Sequence, residues 1–350
     1  MTARVGINGF GRIGRSFYRA LLARSAKGAV PGGDSGVELV AVNDPFGDSE
    51  TMAFLLKHDS VGGTLPNEVK VTDGGFSVDG REVRKLETRE PTEIPWSEHG
   101  VDVVIESTGL FTAREKAAGH LAGGAKRVII SAPSGDADAT ICMGVNDGVY
   151  DPARHTVISN ASCTTNCLAP LARVLHDRFR IEQGLITTVH AYTSDQQLQD
   201  LAHPTRSGKP DLRRMRAAAL SIVPSSTGAA RAIGLVLPEL KGKLDGTALR
   251  VPTPTGSITD LVAILGREVS VDDVNTAFAA ATTDASYRGV LEYSDEPLVS
   301  ADIVHNPASC IFSALDTMAN GRMVKVLGWY DNEWGYSNRL IDLVAYLGSE

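Results

Sequence analysis

Residues 4–14 constrain the fold of this chain more than any other stretch. Arg4 to Asn8 is a short apolar strand pattern. It runs directly into Gly9-Phe10-Gly11-Arg12-Ile13-Gly14, a G-x-G-x-x-G, which opens a helical pattern through Phe17, Ala20 and Leu21. The first two glycines permit a tight turn and a close backbone approach to a pyrophosphate. The third lets the helix pack on the strand, and the helix N-terminus then faces the phosphates. Such a glycine triplet is weak alone, but between a strand and a helix it marks a dinucleotide-binding unit. That unit asks for an acidic residue at the end of the next strand. Val37 to Val42 reads as that strand, ending at Asn43-Asp44, after a Gly/Pro/Ser-rich insertion from Lys27 to Gly36 that reads as a surface loop. A carboxylate at position 44 would accept from the ribose hydroxyls and repel a 2′-phosphate, which favours NAD over NADP. Its rival reading is a turn residue before Pro45.

Further strand–helix units follow. Val101 to Glu106 and Lys126 to Ile130 read as parallel strands buried on both faces, the second ending at Ser131. Thr140 to Gly144 and Thr156 to Ile158 would complete the sheet. Short strands at Val69–Val71, Phe76–Val78 and Glu82–Leu86 are separated by Asp-Gly turn signals. After residue 163 the pattern changes to a helix reaching about Phe179, then strands at Gly184–Thr193, Leu249–Val251, Ile258–Leu265, Ala308–Asp316 and Met323–Trp329. The expected class is α/β: a Rossmann-type parallel sheet plus an α+β catalytic domain with a mixed sheet. The expected division is residues 1–162 with 330–350 for the dinucleotide and 163–329 for the chemistry.

Within this frame, Ala161-Ser162-Cys163-Thr164-Thr165-Asn166-Cys167 stands at the change of pattern. It places Cys163 at a helix start, where free N–H groups and the helix dipole favour negative charge. A thiol there should have a lowered pKa and serve as a nucleophile. The bland alternative is a small buried apolar residue. The polar, irregular run from Ser194 to Met215, rich in arginine, is of a length that is usually functional or disordered inside a compact domain. Ser225-Ser226-Thr227-Gly228 precedes a helix at Ala229–Val236 and so suits an anion.

A net charge of −8 argues against general nucleic-acid or anionic-membrane binding, and no apolar run is long enough to span a bilayer. Four cysteines in 350 residues form neither a disulfide framework nor a zinc pattern. No metal is expected, and a reducing cytoplasm suits the thiols. Met1-Thr2-Ala3-Arg4 leads straight into a strand without a signal-peptide pattern.

Four segments together resemble one family along the whole chain: Gly6 to Arg15, Ala161 to Cys167, Ser226-Thr227-Gly228-Ala229-Ala230, and Trp329-Tyr330-Asp331-Asn332-Glu333-Trp334-Gly335-Tyr336. They are similar to the phosphorylating glyceraldehyde-3-phosphate dehydrogenases of the bacterial, NAD-dependent type. The resemblance implies that Cys163 forms a thiohemiacetal and then a thioester with the aldehyde, and that His190 is its base. It implies that Thr193 and Arg250 receive the substrate phosphate, with Asp195 nearby, while Ser162, Thr164, Thr227 and Gly228 receive the attacking inorganic phosphate. Gly9, Gly11, Arg12, Ile13, Asp44, Arg89, Ser131 and Asn332 would contact NAD, with Asn332 fixing the nicotinamide amide. Cys167 resembles the family's second, structural cysteine. Taken singly, a histidine placed like His190 is more often a hydrogen-bonded core residue, and an arginine like Arg250 more often a surface or salt-bridge residue. Ala202 stands where NAD-preferring members usually carry proline, and His203 to Pro210 resembles an insertion. A homotetramer is implied. Two rival readings stand beside this one: an erythrose-4-phosphate dehydrogenase, and a nucleotide-binding protein whose Cys163 is a redox-sensing thiol.

Overall fold

The computed structural model describes residues 2–26, 36–202 and 211–348. The expected loop at 27–36, apart from Gly36, and the expected insertion at 203–210 lie outside the described residues. The chain divides into two compact units, Met1–Ile141 with Gly148–Ala161 and Ser337–Glu350, and Cys142–Asp147 with Ser162–Tyr336.

The first unit is built on β1 (Ala3–Asn8), β2 (Val37–Asn43), β3 (Val69–Thr72), β4 (Gly75–Val78), β5 (Arg81–Leu86), β6 (Val103–Glu106), β7 (Arg127–Ile130), β8 (Ala139–Thr140) and β9 (Val157–Ser159). Their order across the sheet is β8-β9-β7-β6-β1-β2-β5-β4-β3. Pairing is parallel from β8 through β5. The last two pairs are antiparallel: Asp79 and Gly80, both at positive φ (50° and 78°), turn the chain from β4 into β5, and Asp73-Gly74 joins β3 to β4. The inner strands are apolar and buried on both faces, as crossover helices require. Helix α1 (Arg12–Ala26) buries Phe17, Tyr18 and Leu21, and α2 (Ser49–Lys57) is capped by the Asp48 carboxylate. The expected strand at 140–144 ends at Thr140. Beyond it, Cys142 N–H donates to Asn146 Oδ1 (2.8 Å) and Gly144 N–H to Asp147 Oδ1 (2.8 Å), so local side chains take the donors a longer strand would need.

The second unit carries β10 (Ile181–Ala191), β11 (Val223–Ser226), β12 (Leu244–Val251), β13 (Ser257–Leu265), β14 (Leu291–Ser294), β15 (Cys310–Asn320) and β16 (Met323–Tyr330), in the order β11-β12-β10-β13-β16-β15-β14. Two of these pairs are parallel, β10 with β12 and β14 with β15, and the rest antiparallel, so the sheet is mixed. Strand β13 alternates buried and half-buried residues along its whole length, the period-two signature of a sheet covered on one face. Helices α3 (Cys163–Phe179), α4 (Ala229–Val236) and α5 (Val271–Ala281) pack against it. Strand β10 begins three residues before its expected start at Gly184 and stops at Ala191, leaving Thr193 in the following loop. Helix α6 (Trp334–Gly348) closes the chain, and within the first unit Arg24 of α1 holds it through Asn338 (2.7 Å) and Asp342 (2.5 Å).

Candidate active site

The cysteine and histidine meet inside the second unit. The chain enters α3 through Ala161, which is held at φ 54°, a region costly for a residue with a Cβ. Ser162 caps the helix, its Oγ accepting from Thr165 N–H at 3.0 Å. Cys163 is therefore the first helical residue, and its Sγ lies 3.4 Å from His190 Nε2. His190 sits near the end of β10, in register with Arg250 of the parallel strand β12. Arg250 Nη1 stands 2.6 Å from His190 Nδ1 and donates to Ala191 O at 3.0 Å, while Nδ1 itself is 2.7 Å from that carbonyl. A guanidinium only donates. A carbonyl only accepts, so Nδ1 cannot serve both neighbours: toward Arg250 it is an acceptor and a neutral imidazole carries its proton on Nε2, facing the sulfur, whereas toward Ala191 O it is the donor and Nε2 is the acceptor. Beneath the pair, the buried Tyr330 hydroxyl meets Thr164 Oγ1 (2.9 Å) and Thr188 Oγ1 (2.8 Å), and its ring lies edge-on to His190.

Burial pushes the His190 pKa down, and the Arg250 charge adds to that, to about 3. The imidazole is neutral at ordinary pH. The expectation of a lowered thiol pKa is corrected here. Burial raises the Cys163 pKa, and this outweighs the Arg250 charge and the Thr164 hydrogen bonds that pull it down. The helix start is present, but the thiol lies among buried groups that charge poorly when separated from water.

A cluster of hydroxyl and charged side chains lies beside this pair. Thr193 Oγ1 donates to Asp195, whose other carboxylate oxygen is ion-paired with Arg214. Burial raises the Asp195 pKa, but the Thr193 hydroxyl and the Arg214 and Arg250 charges more than offset it and hold the group ionised. Arg214 also donates to Ser225 Oγ (2.7 Å) and to Ser226 O (3.4 Å), which ties the loop to β11 just before Thr227 and Gly228. Gly228 is the N-cap of α4, exposed, and a Cβ placed on it would touch nothing within 4 Å. Thr227 Oγ1 accepts from Ala229 N–H at 3.2 Å. The Thr164 hydroxyl is engaged with Tyr330 under the cysteine. Arg214 and Tyr330 are the residues that sequence reasoning missed. The first lay in an arginine-rich loop with no spacing to single it out, and the second lay inside a quoted motif without an assigned role.

Asn332 is buried in the same unit, and its Oδ1 accepts from Ser257 Oγ at 2.8 Å and faces Thr255 Oγ1 at 3.3 Å. In the first unit, the glycine turn fits a dinucleotide. Gly9 has φ 94°, and a Cβ there would stand 2.8 Å from Thr108 N. A Cβ on Gly11 would meet nothing within 4 Å, so an open cradle lies over the start of α1. Asp44 is fixed by two backbone donors, Phe10 N–H to Oδ2 and Phe46 N–H to Oδ1 (2.9 Å each), with a lone pair left on each oxygen for a ribose. The exposed Phe46 ring lies under the Arg89 guanidinium, 5.6 Å away, as a flat stacking surface next to that carboxylate. Arg12 is ion-paired with Asp59, Ile13 is half-buried in the first turn of α1, and Ser131 N–H donates to Glu106 O (3.0 Å) at the end of β7. Among the described residues there is no group of three or more side chains suited to a metal, and no helix long and apolar enough to cross a membrane.

Two family models match. One, described as the glyceraldehyde 3-phosphate dehydrogenase NAD binding domain, covers residues 3–114, and the other, described as the C-terminal domain of the same enzyme, covers residues 162–332. The chain is 56% identical to a glyceraldehyde-3-phosphate dehydrogenase of Streptomyces coelicolor, with 100% of both chains covered. It is 58% identical to glyceraldehyde-3-phosphate dehydrogenase 2 of Streptomyces arenae, covering 100% of this chain and 99% of the relative. It is also 58% identical to the Mycobacterium leprae enzyme of that name, covering 99% of each. With relatives this similar from end to end, and the glycine turn and the cysteine helix each inside a matched segment, the chain belongs to the glyceraldehyde-3-phosphate dehydrogenase family.

Proposed function

We propose that this protein oxidises D-glyceraldehyde 3-phosphate to 1,3-bisphosphoglycerate with NAD and inorganic phosphate, Cys163 acting as nucleophile and His190 as base. The observation that carries the reading is the 3.4 Å approach of Cys163 Sγ to His190 Nε2, with arginines on its anion-facing side. The sulfur adds to the aldehyde carbon, and the thiol proton passes by way of His190 to the carbonyl oxygen, which becomes the thiohemiacetal hydroxyl and leaves His190 neutral again. Bound NAD supplies the hydride acceptor. As the thiohemiacetal carbon loses hydride, His190 takes the hydroxyl proton, and a thioester remains. A phosphate oxygen then attacks the carbonyl carbon, the C–S bond breaks, and the thiolate leaves with the acyl phosphate formed. The covalent thioester conserves free energy that direct hydrolysis would dissipate.

Arg250 serves two states in this reading. Against Nδ1 it holds the proton on Nε2, a donor suited to a thiolate or an oxyanion. Drawn to the substrate phosphate together with Thr193, it releases Nδ1 to donate to Ala191 O, and Nε2 becomes the acceptor that a base needs. Asp195 would stand near the substrate phosphate, and Ser162, Thr164, Thr227 and Gly228, with Arg214, would shape the pocket for the attacking phosphate. Gly9, Gly11, Arg12 and Ile13 would hold the cofactor phosphates, Asp44 the ribose, Arg89 with Phe46 the adenine, Ser131 the ribose side, and Asn332 the nicotinamide amide. Residues 1–162 with 330–350 would form the cofactor domain and 163–329 the catalytic domain. Exposed Leu198, Leu212, Leu220 and Ile222 support a homotetramer, since such side chains seek a partner surface. The free thiols and acidic surface support a cytoplasmic protein that binds neither nucleic acid nor membrane.

The test follows absorbance of reduced cofactor with glyceraldehyde 3-phosphate, NAD and phosphate. Turnover should require phosphate and should exceed that with erythrose 4-phosphate. Pure protein without phosphate-dependent turnover would refute the reading.

A further inference from the structure

Ser257 opens β13 and is wholly buried. Its hydroxyl oxygen accepts from Ala191 N–H at 3.0 Å, and its proton goes to Asn332 Oδ1 at 2.8 Å. One hydroxyl thus joins the backbone next to His190 to the side chain of Asn332. The neighbouring Thr255 hydroxyl lies 2.8 Å from Asp331 Oδ1 and 3.3 Å from Asn332 Oδ1. It has one proton, and the carboxylate, nearer and charged, takes it. Asp331 is anchored independently, accepting from the backbone N–H groups of His305 (2.8 Å), Glu333 (2.9 Å) and Trp334 (2.9 Å).

From this arrangement we infer that Ser257 is a positioning residue which fixes the amide of Asn332 with its oxygen inward and its NH2 outward, so that Asn332 reads a carbonyl oxygen on its ligand. The inference rests on the reading of Asn332 as the nicotinamide anchor. The reason is a proton count. If the amide turned over, its NH2 would meet Ser257 Oγ, and the Ser257 proton would be left buried without an acceptor. With alanine at 257 the balance reverses. No donor then faces an inward amide oxygen, whereas the Thr255 oxygen, its proton committed to Asp331, still accepts from an inward NH2. The amide therefore turns and presents its oxygen to the ligand.

A cofactor pair exposes the turn. The NAD carboxamide carries both a carbonyl and an NH2 and can rotate to meet either orientation. The 3-acetylpyridine analogue carries the carbonyl and a methyl group and cannot. Calorimetric dissociation constants for NAD and for 3-acetylpyridine adenine dinucleotide are measured on the full-length protein and on Ser257→Ala. The analogue-to-NAD ratio should rise roughly tenfold in the variant, the loss expected when a buried acceptor meets an acceptor. A merely structural role would weaken both ligands alike, and an unchanged ratio overturns the inference. Should Ser257→Ala fail to fold, Ser257→Cys keeps the volume with a much weaker donor, and its ratio should move in the same direction; no movement again overturns the inference. Asn332→Ala separates the two levels. If it weakens both ligands while the Ser257 variants leave the ratio unchanged, the Ser257 inference alone fails. If it weakens neither, the anchor reading fails and the inference with it.

Discussion

Lowering the pH should unfold this protein partly through His190. The residue is 4% exposed, and its pKa lies at about 3, against an ordinary value of 6.5. The sign follows from which state binds the proton first. As pH falls below 6.5 the unfolded chain protonates this histidine while the folded one does not, so the unfolded state is favoured progressively until about pH 3, where the folded state protonates too. The whole span is worth roughly 5 kcal/mol, of which roughly 2 kcal/mol falls between pH 7 and pH 5. The groups that face the imidazole, Arg250, Cys163, Asp195, Arg214 and Tyr330, do not rescue the charged form; the two arginines oppose it. His190→Asn removes the titration and keeps a small polar side chain. Urea unfolding of both proteins at pH 7 and pH 5, at one protomer concentration, gives a double difference from which every other acidic group and histidine cancels. The wild type should lose about 2 kcal/mol more than the variant between these pH values. Parallel losses would show that the native imidazole is free to protonate, and the burial argument for its neutrality would be wrong.

Further outcomes follow from particular positions. Gly11→Ala should leave the melting temperature nearly unchanged and weaken NAD binding at least tenfold, because its Cβ enters open space over the helix start. Gly9→Ala should cost about 1–3 kcal/mol of stability through its positive φ and the clash with Thr108. Asp138 holds Arg114 Nε (2.6 Å) and the N–H groups of Thr156 and Val157 (2.9 Å each), and although burial opposes it, these donors bring its pKa down to about 2. Asp138→Asn should therefore cost about 2 kcal/mol at neutral pH in urea unfolding; that contribution is in full force above pH 3.8, and the difference should vanish as pH falls through about 2. Cys163→Ser should abolish hydride transfer in the absorbance assay, whereas Cys167→Ser should largely spare it, since Cys167 is buried against Gly328 O.

Much of the fold was legible because its signals are local. The β1–α1 turn, the buried parallel strands and the cysteine helix each declare themselves in a few consecutive residues. The two edge strands β11 and β14 and the helix α5 were not legible. They are short or follow polar stretches, and only pairing with distant strands, β12 and β15, makes the first two strands at all. The same holds for β12, of which only Leu249–Val251 was anticipated. Its first half, Leu244 to Ala248, is strand because β10 lies beside it, residue for residue.

The thiol shows the limit of local reading more sharply. Everything the sequence offered at Cys163, the cap, the first helical turn and the free N–H groups, predicts a stabilised anion, and those features are all present. The sign is nevertheless decided by burial, which outweighs even the Arg250 charge from 87 positions away, and no spacing rule displays that burial. The consequence is chemical. A thiol raised by burial and an imidazole lowered by burial together form a neutral pair, and neither ionises spontaneously in the free protein. Charge separation must then arrive with an anion that engages Arg250. On this argument, the arginine's position between the proposed phosphate pocket and His190 Nδ1 matters as much to reactivity as the cysteine's position on its helix.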